Sequence, residues 1–476
     1  VRSIGEKIGR AGKTSGIIPF IRVMDSLTLA ISQGSLRRGS AAVYLDIHHP
    51  EIEEFLEIRK PSGDFNRKSL NLHHGLNITD DFMKAVKEGT SFGLKSPHTG
   101  AVIKTVDARE VWQKILDMRM ATGEPYMVFS DTVNKALAGH QKAQGLKVQQ
   151  SNLCSEIMLA TGKDKAGRQR TAVCCLSSVN AETYDERKNE EGFIEDIMRF
   201  LDNVLQSFID DAPHKMSDAV YSAMRERSVG LGLMGFHSFL QSKGVPFESA
   251  MAKSFNNRMF TYLRSEADKA SVKLAHERGA CPDAADEGVM ERFSHKLAVA
   301  PTASISIICG GTSAGIEPIP ANIYTHKTLS GSFTVKNKFL EALFEKKGIN
   351  TLETWAGILE NEGSVQHIEE LDEYEKGVFK TAFELDQRWV IELAADRTPH
   401  ICQSQSLNVF LPGDIEKWDL HMLHWKAWEM GIKSLYYCRS KSIQRAAFAG
   451  SEEKSEMEQA MEAAAPTDYE ECLACQ

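Results

Sequence analysis

The sequence predicts an α/β chain. Two observations carry this. Segments with apolar residues spaced three and four apart, as on one face of a helix, alternate with short apolar runs bounded by turn residues. The chain is also long, 476 residues with 42% hydrophobic content, enough for one large core or two to three smaller ones. A formal charge of −9 argues against a protein that coats nucleic acid. No run of 18 apolar residues is present, so no segment is expected to span a membrane. No cleavable signal is evident, which makes the cytoplasm (a host's, if the source is viral) the expected compartment. Nine cysteines are an odd number for a disulfide framework, and thiols are expected unless a pair is redox-active.

The chain starts at Val1, and Arg2 to Gly16 is loop-like, rich in Gly, Lys and Arg. The expectation is that its natural beginning lies upstream; a removed initiator or an unusual start codon is the alternative. Ile17 to Ser32 reads as a helix with Pro19 in its first turn. Gln33 to Ser40 is a loop with two glycines and two arginines, either a solvated turn or a shape-changing loop that offers guanidinium donors. Ala41 to Ile47 is strand-like and Glu51 to Arg59 a short helix. Asp80 to Lys87 and Asp107 to Met120 are amphipathic helices, and Gly123 to Thr132 is a turn with a buried strand. Thr171 to Asn180, with Cys174 and Cys175, reads as a strand joined to the preceding segment by the charged loop Thr161 to Gln169. Further helices are expected at Phe193 to Phe208, Ser217 to Arg227, Phe255 to Arg278, Asn337 to Lys347, Phe379 to Asp396 and Leu420 to Met430, the last closed by Gly431. Ser434 to Tyr437 is a strand. Residues 1–448 are expected to form one catalytic domain. Residues 449–476 form an acidic tail, with eight acids against one lysine between Ser451 and Glu471, expected to be mobile.

Ser151 to Ile157 (SNLCSEI) places an amide, a thiol and a carboxylate at Asn152, Cys154 and Glu156. If extended, a period of two puts all three on one face; in a helix Cys154 points away. A carboxylate can act as a base, an amide can hold hydroxyls, and a thiol can give up a hydrogen atom. A buried, inert cysteine is the plainer reading of these seven residues alone.

Other motifs are weaker. His48-His49 and His73-His74 invite a metal, but adjacent strand residues face apart and no carboxylate or cysteine stands at ligand spacing, so no metal site is expected. Gly230 to Gly235 fits GxGxxG superficially and is expected to mark close helix packing rather than a dinucleotide site. Pro301-Thr302-Ala303-Ser304 offers hydroxyls and backbone amides to a phosphate, or is a simple turn. Cys472 and Cys475 end the tail as a CxxC, a poor zinc site and a good carrier of exchangeable thiols.

Taken in order, QGSLRRG at 33–39, SNLCSEI at 151–157, the Cys174 run, PTAS at 301–304, GIEP at 315–318, LYY at 435–437 and the terminal CxxC resemble the large, catalytic (alpha) subunit of class I ribonucleotide reductase along nearly the whole chain. The resemblance implies a ten-stranded α/β barrel of two oppositely oriented halves, shared with glycyl-radical enzymes, whose inner finger loop carries a radical cysteine. It implies that this chain holds the barrel incompletely. The N-terminal part and any ATP cone would then lie outside it, on a separate fragment as in split phage versions or in a segment lost from it.

The implied activity is reduction of ribonucleoside diphosphates to deoxyribonucleoside diphosphates for DNA synthesis. Cys154 is then the transient thiyl radical, Glu156 the base at the 3′ hydroxyl and Asn152 the holder of the sugar hydroxyls. Cys174 is one member of the reducing pair, its partner lying upstream of Val1. Tyr436 and Tyr437 match the radical relay, with an aromatic core strand as the alternative. Thr302, Ala303 and Ser304 match the substrate-phosphate site. Gln33 and Arg37 lie in the specificity loop, and Arg2 and Arg10 are loosely aligned with effector contacts. Cys472 and Cys475 would regenerate the active-site pair and be reduced by thioredoxin or glutaredoxin. No cofactor is bound covalently; the radical comes from the dinuclear metal centre of a small (beta) subunit, and dNTP and ATP act allosterically. A homo-oligomer is expected. The competing readings are a non-catalytic effector-binding or assembly subunit, which would be expected to lose Cys154, Glu156 or the tyrosines, and a metal-dependent oxidoreductase using the histidine pairs.

Overall fold

A computed structural model of the chain describes residues 2–10, 12–33, 37–328 and 331–440. Its centre is a set of strands whose inner ends face one loop. The strands are β1 (Ala42–Asp46), β2 (His73–Ile78), β3 (Tyr126–Phe129), β4 (Leu176–Asn180), β5 (Gly230–Met234), β6 (Val409–Leu411), β7 (Ser434–Leu435) and β8 (Cys438–Ser440). β1, β2 and β3 are parallel neighbours, and β7 pairs antiparallel with β3. β8, just beyond β7 in the chain, runs parallel to β6. Parallel bridges Val299–Gln405 and Leu231–Leu297 carry the ladder on to β5, which pairs parallel with β4. Two groups of parallel strands therefore meet in opposite directions at the β3–β7 seam, the arrangement of a two-half α/β barrel.

The strands read as near-continuous apolar runs because both faces are covered. Leu231, Leu233, Val409 and Leu435 are all at most 1% exposed. One continuous core extends from Ile17 to Cys438. A second, smaller cluster from Ile323 to Phe379 lies under the hairpin Ile323–Lys336 and its helices. The helices follow their caps. Asp107 caps Ala108–Thr122, Ser249 caps Ala250–Arg278 and Asn337 caps Lys338–Lys347, each side chain accepting from a first-turn amide.

Three expectations change. The segment Phe379 to Asp396 is helical only from Gln387 to Arg397, because Asp386 caps it there, accepting from Arg388 N. Gly230 to Met234 is a fully buried strand, not a helix contact. A Cβ on Gly232 would overlap the Ala298 carbonyl, so glycine permits close strand packing. The expected strand Ser434 to Tyr437 stops at Leu435, leaving the tyrosines between β7 and β8. The hairpin Ser91–Asp107 had no counterpart among the predicted elements.

Candidate active site

The inner loop is a tight turn, not an extended strand. Ser155 has φ +66°, and the Ile157 amide donates to Asn152 Oδ1 at 3.2 Å. The one-face geometry expected of an extended heptapeptide is therefore absent. Asn152 and Glu156 meet instead because the turn folds the Asn152 amide back against the Glu156 carboxyl. The positive φ is held from outside. Ser434 Oγ donates to the Ser155 carbonyl at 2.7 Å, Ser406 Oγ lies 2.6 Å from the Cys154 carbonyl, and the Ser404 amide donates to the Glu156 carbonyl at 2.9 Å. Tyr44 of β1 donates to the Asn152 carbonyl at 2.8 Å. Gly75 of β2, paired with Tyr44, leaves room for that ring, since a Cβ there would overlap it. Residues from both halves of the barrel thus fix one loop.

Glu156 is 2% exposed. Burial pushes its carboxyl up to about 7, against hydrogen bonds from its own amide, Asn152 and Ser406. Ser406 Oγ lies 3.1 Å from Oε2. Cys174 is exposed at the end of the run before β4 but partly desolvated there. That enclosure first, and then the charge of Glu156, pushes its thiol up to about 12. Cys175 turns the other way, its Sγ 3.7 Å from the Leu201 carbonyl, as adjacent residues should. Cys154 is 3% exposed and is held in a disulfide; the six other described cysteines are free thiols, so none of them is its partner.

Cys154 packs in a cluster with Tyr126 and Tyr436, bordered by Tyr44, Leu153 and Tyr437. The ring centroids of Tyr436 and Tyr437 are 4.3 Å apart; Tyr126 lies 4.7 Å from Tyr436 and 5.0 Å from Tyr437. Tyr436 is 1% exposed. The Arg439 guanidinium sits over the Tyr437 ring at 4.7 Å. A file of aromatic side chains therefore leads from the sulfur outward.

Thr302 to Ser304 forms a turn at the end of the 297–299 segment, beside the 403–406 segment that holds Glu156. Thr302 has φ +56°, its Oγ1 accepts from the Gly315 amide at 2.8 Å, and the Ala303 carbonyl accepts from Ser306 Oγ at 3.1 Å. Ser304 Oγ is buried with no partner among the described residues. Gln33 and Arg37 face each other across a short antiparallel pairing, and 34–36 lie outside the described residues. Arg2 reaches the Lys7 carbonyl and His98, while Arg10 is exposed. Cys472 and Cys475 lie outside the described residues.

Three of the four paired histidines stand beside a carboxylate. His48 pairs with Asp81 at 3.1 Å, and His73 and His74 both face Glu124. Among the described residues no group of three or more His, Cys, Asp or Glu is placed to hold an ion. The absence of a carboxylate at ligand spacing in the sequence was misleading, because Glu124 arrives from the turn before β3.

Sequence reasoning missed Tyr126, which had no motif around it, and Glu317, which entered only as part of GIEP. Glu317 is half-buried. Burial pushes it up to about 7 despite Arg439, and its Oε1 accepts from the Asn408 amide at 3.4 Å. Asn408 Oδ1 in turn accepts from the Tyr437 amide at 2.9 Å.

Two oppositely oriented groups of parallel strands thus surround one loop bearing a cysteine and a buried acid. The family model for the ribonucleotide reductase barrel domain matches residues 1–290 and 284–438. The chain is 45% identical over 471 residues to a Frog virus 3 (isolate Goorha) protein described as a ribonucleoside-diphosphate reductase large subunit, covering 98% of this chain and 80% of that one. It is 42% identical to the ribonucleoside-diphosphate reductase large subunit of Invertebrate iridescent virus 3, covering 90% and 76%. The structure of the class Id ribonucleotide reductase alpha subunit of Actinobacillus ureae superposes with a TM-score of 0.79 at 35% identity, covering 91% and 76%. The chain belongs to the ribonucleotide reductase family.

Proposed function

We infer that this chain is the catalytic large subunit of a ribonucleoside-diphosphate reductase, which makes deoxyribonucleotides for DNA synthesis. The observation that carries the reading is the direct packing of Cys154 against Tyr436, beside an acid raised to about 7 in the same loop. The reduced Cys154 is the working form. As a thiyl radical it takes the 3′ hydrogen atom of the substrate ribose. Glu156, which faces no cation among the described residues, accepts the 3′ hydroxyl proton in its ionised form, and Asn152 holds the sugar hydroxyls. Water leaves C2′, and two electrons come from Cys174 and a cysteine outside this chain, which end as a disulfide. The hydrogen atom then returns to C3′ and the radical to Cys154. Thr302 to Ser304 receives the substrate phosphates, supported by the unpartnered Ser304 hydroxyl.

Tyr437 and Tyr436 pass the radical inward from a small subunit, whose dinuclear metal centre supplies it. Tyr126, in contact with both rings, is the packing wall of that path. Gln33 and Arg37 lie in the loop that reads the effector dNTP, with Arg2 and Arg10 as weaker contacts. Cys472 and Cys475 shuttle reducing equivalents from thioredoxin or glutaredoxin, and residues 449–476 serve as the tether. An N-terminal large-subunit fragment completes the site, and the complex works in the cytoplasm. Presence of Cys154, Glu156 and both tyrosines favours this over a non-catalytic effector-binding subunit. The test is deoxyribonucleotide formation when the chain is combined with small-subunit and N-terminal partners. Tyr436→Phe should abolish turnover and leave nucleotide binding intact; multiple turnovers by Tyr436→Phe would contradict the relay.

A further inference from the structure

A hydroxyl carries one proton, so it makes one full donor bond at a time. Ser406 faces two acceptors. Its Oγ lies 2.6 Å from the Cys154 carbonyl and 3.1 Å from Glu156 Oε2. A carbonyl and an ionised carboxylate both accept, and neither donates. With Glu156 ionised, the single Ser406 proton is contested. Protonation of either Glu156 oxygen removes the charge that competes for it, because a neutral carboxyl is the weaker acceptor. The Ser406 proton is then left to the carbonyl.

The neighbouring serines show an uncontested hydroxyl. Ser434 Oγ spends its proton on the Ser155 carbonyl at 2.7 Å, so Ser404 Oγ, 2.7 Å from it, is the donor of that pair. That chain runs in one direction. Ser406 is fixed in place between its two acceptors. It is 1% exposed, and its amide donates to the Val299 carbonyl at 2.9 Å. Two residues earlier the Ser404 amide donates to the Glu156 carbonyl at 2.9 Å. Only the direction of the Ser406 O–H bond is left to change. Its acceptors are the backbone of the cysteine and the side chain of the acid two residues on.

Resting on the reading of Cys154 as the thiyl radical and Glu156 as the base, we propose that Ser406 is a positioning residue that couples the two: it donates to the Glu156 carboxylate while that acid is ionised, and to the Cys154 carbonyl once the acid holds a proton. During turnover the 3′ O–H bond breaks and an O–H bond forms on Glu156. Ser406 keeps its own proton and rotates. The Cys154 carbonyl is therefore gripped during the interval in which the thiol waits to return its hydrogen atom. When the acid gives up its proton, the Ser406 bond passes back to the carboxylate. Burial holds Glu156 at about 7, which puts both states within reach near neutral pH. Tyr44 and Cys174 are the side chains whose titration feels Glu156 among the described residues; burial raises both, so neither changes charge in this range. Lys433, next to Ser434, spends its ammonium on the Ile401, Cys402 and Gln403 carbonyls.

The experiment uses the complete enzyme, with the cysteines of this chain labelled with heavy carbon at their carbonyls and kept reduced. Infrared difference spectra are taken as pH rises through about 7. A carbonyl that loses a donor absorbs at higher wavenumber. In wild type one labelled carbonyl should move upward as the Glu156 carboxyl band disappears. Ser406→Ala and Glu156→Gln should each abolish that shift, and Ser406→Thr, which keeps the hydroxyl, should retain it. Ser406→Ala should also lower kcat roughly tenfold, the worth of one hydrogen bond, with KM for the nucleotide unchanged and Ser406→Thr close to wild type. A shift that persists in Ser406→Ala, a wild-type carboxyl that titrates with no carbonyl shift, or wild-type kcat in Ser406→Ala overturns the proposal. If Ser406→Ala does not fold, Ser406→Gly takes its place with the same expected losses. Glu156→Gln separates the two levels. Normal turnover by it refutes the base reading; if it is dead while the shift survives in Ser406→Ala, only the coupling falls.

Discussion

Two buried acids, Glu156 and Asp202, sit in the same core with opposite company. Asp202 is fully buried and is gripped by Arg227 at 2.8 Å, Arg292 at 3.0 Å and Arg278 at 2.7 Å. Burial raises its carboxyl, but the three guanidiniums outweigh that and lower it. Among the described residues Glu156 meets hydrogen-bond donors and no cation, and burial carries it up to about 7. Burial alone therefore does not mark a reactive acid. Burial without a counter-charge leaves the Glu156 proton able to come and go near neutral pH. Asp202 ties the helix Phe193–Asp211 to the end of Ala250–Arg278 and to the segment before the 297–299 strand. Glu156 ties nothing that an amide could not.

The comparison can be broken by mutation. Glu156→Gln should cut turnover by roughly 10²- to 10⁴-fold, measured as deoxyribonucleotide formation in the complete enzyme, without loss of fold. Asp202→Asn should do the reverse. Leaving three arginines around a neutral amide should cost roughly 3–5 kcal/mol of stability, read by denaturant unfolding, while the KM of the surviving folded enzyme stays put.

The pH dependences should also oppose each other. The Glu156 carboxyl is raised in the folded state, so the folded chain binds more protons than the unfolded one between the ordinary carboxyl range and about pH 7. Stability should therefore fall as pH rises through that window, by on the order of 3 kcal/mol, and Glu156→Gln should remove the fall. For Asp202 the folded-state value is lowered, so its contribution is present above the unfolded value and is lost as pH falls through the folded one. Activity should follow Glu156: kcat/KM should rise to a plateau above about pH 7 and stand at roughly a tenth of it one unit below. The smallest effect is expected from Lys269→Ala, which breaks an exposed pair with Glu266 and should change stability by less than about 0.5 kcal/mol.

Much of this was legible from residues close in sequence. Asp107, Asn337 and Gly431 punctuate their helices as local rules require. The order of short motifs pointed to the 151–157 loop and the tyrosine pair, which the fold packs together. What failed depended on contacts far away along the chain. Ser155 adopts its left-handed turn because hydroxyls from Ser406 and Ser434, some 250 to 280 residues on, hold the flanking carbonyls. Within the heptapeptide nothing distinguishes that turn from a strand. The Gly230–Met234 strand was misjudged because its glycines answer to Leu176 and the Ala298 carbonyl, which only the fold brings near. Tyr126 and the His73–Glu124 pair are assembled across 51 residues and two strands, with no local pattern to announce them.

The central claim is that the Cys154 sulfur does the chemistry at the ribose. The most direct measurement is turnover of Cys154→Ser in the complete enzyme with an intact small subunit. The account predicts no deoxyribonucleotide at any substrate concentration, with nucleotide binding and thermal stability close to wild type. Deoxyribonucleotide formed by Cys154→Ser over repeated cycles would contradict it.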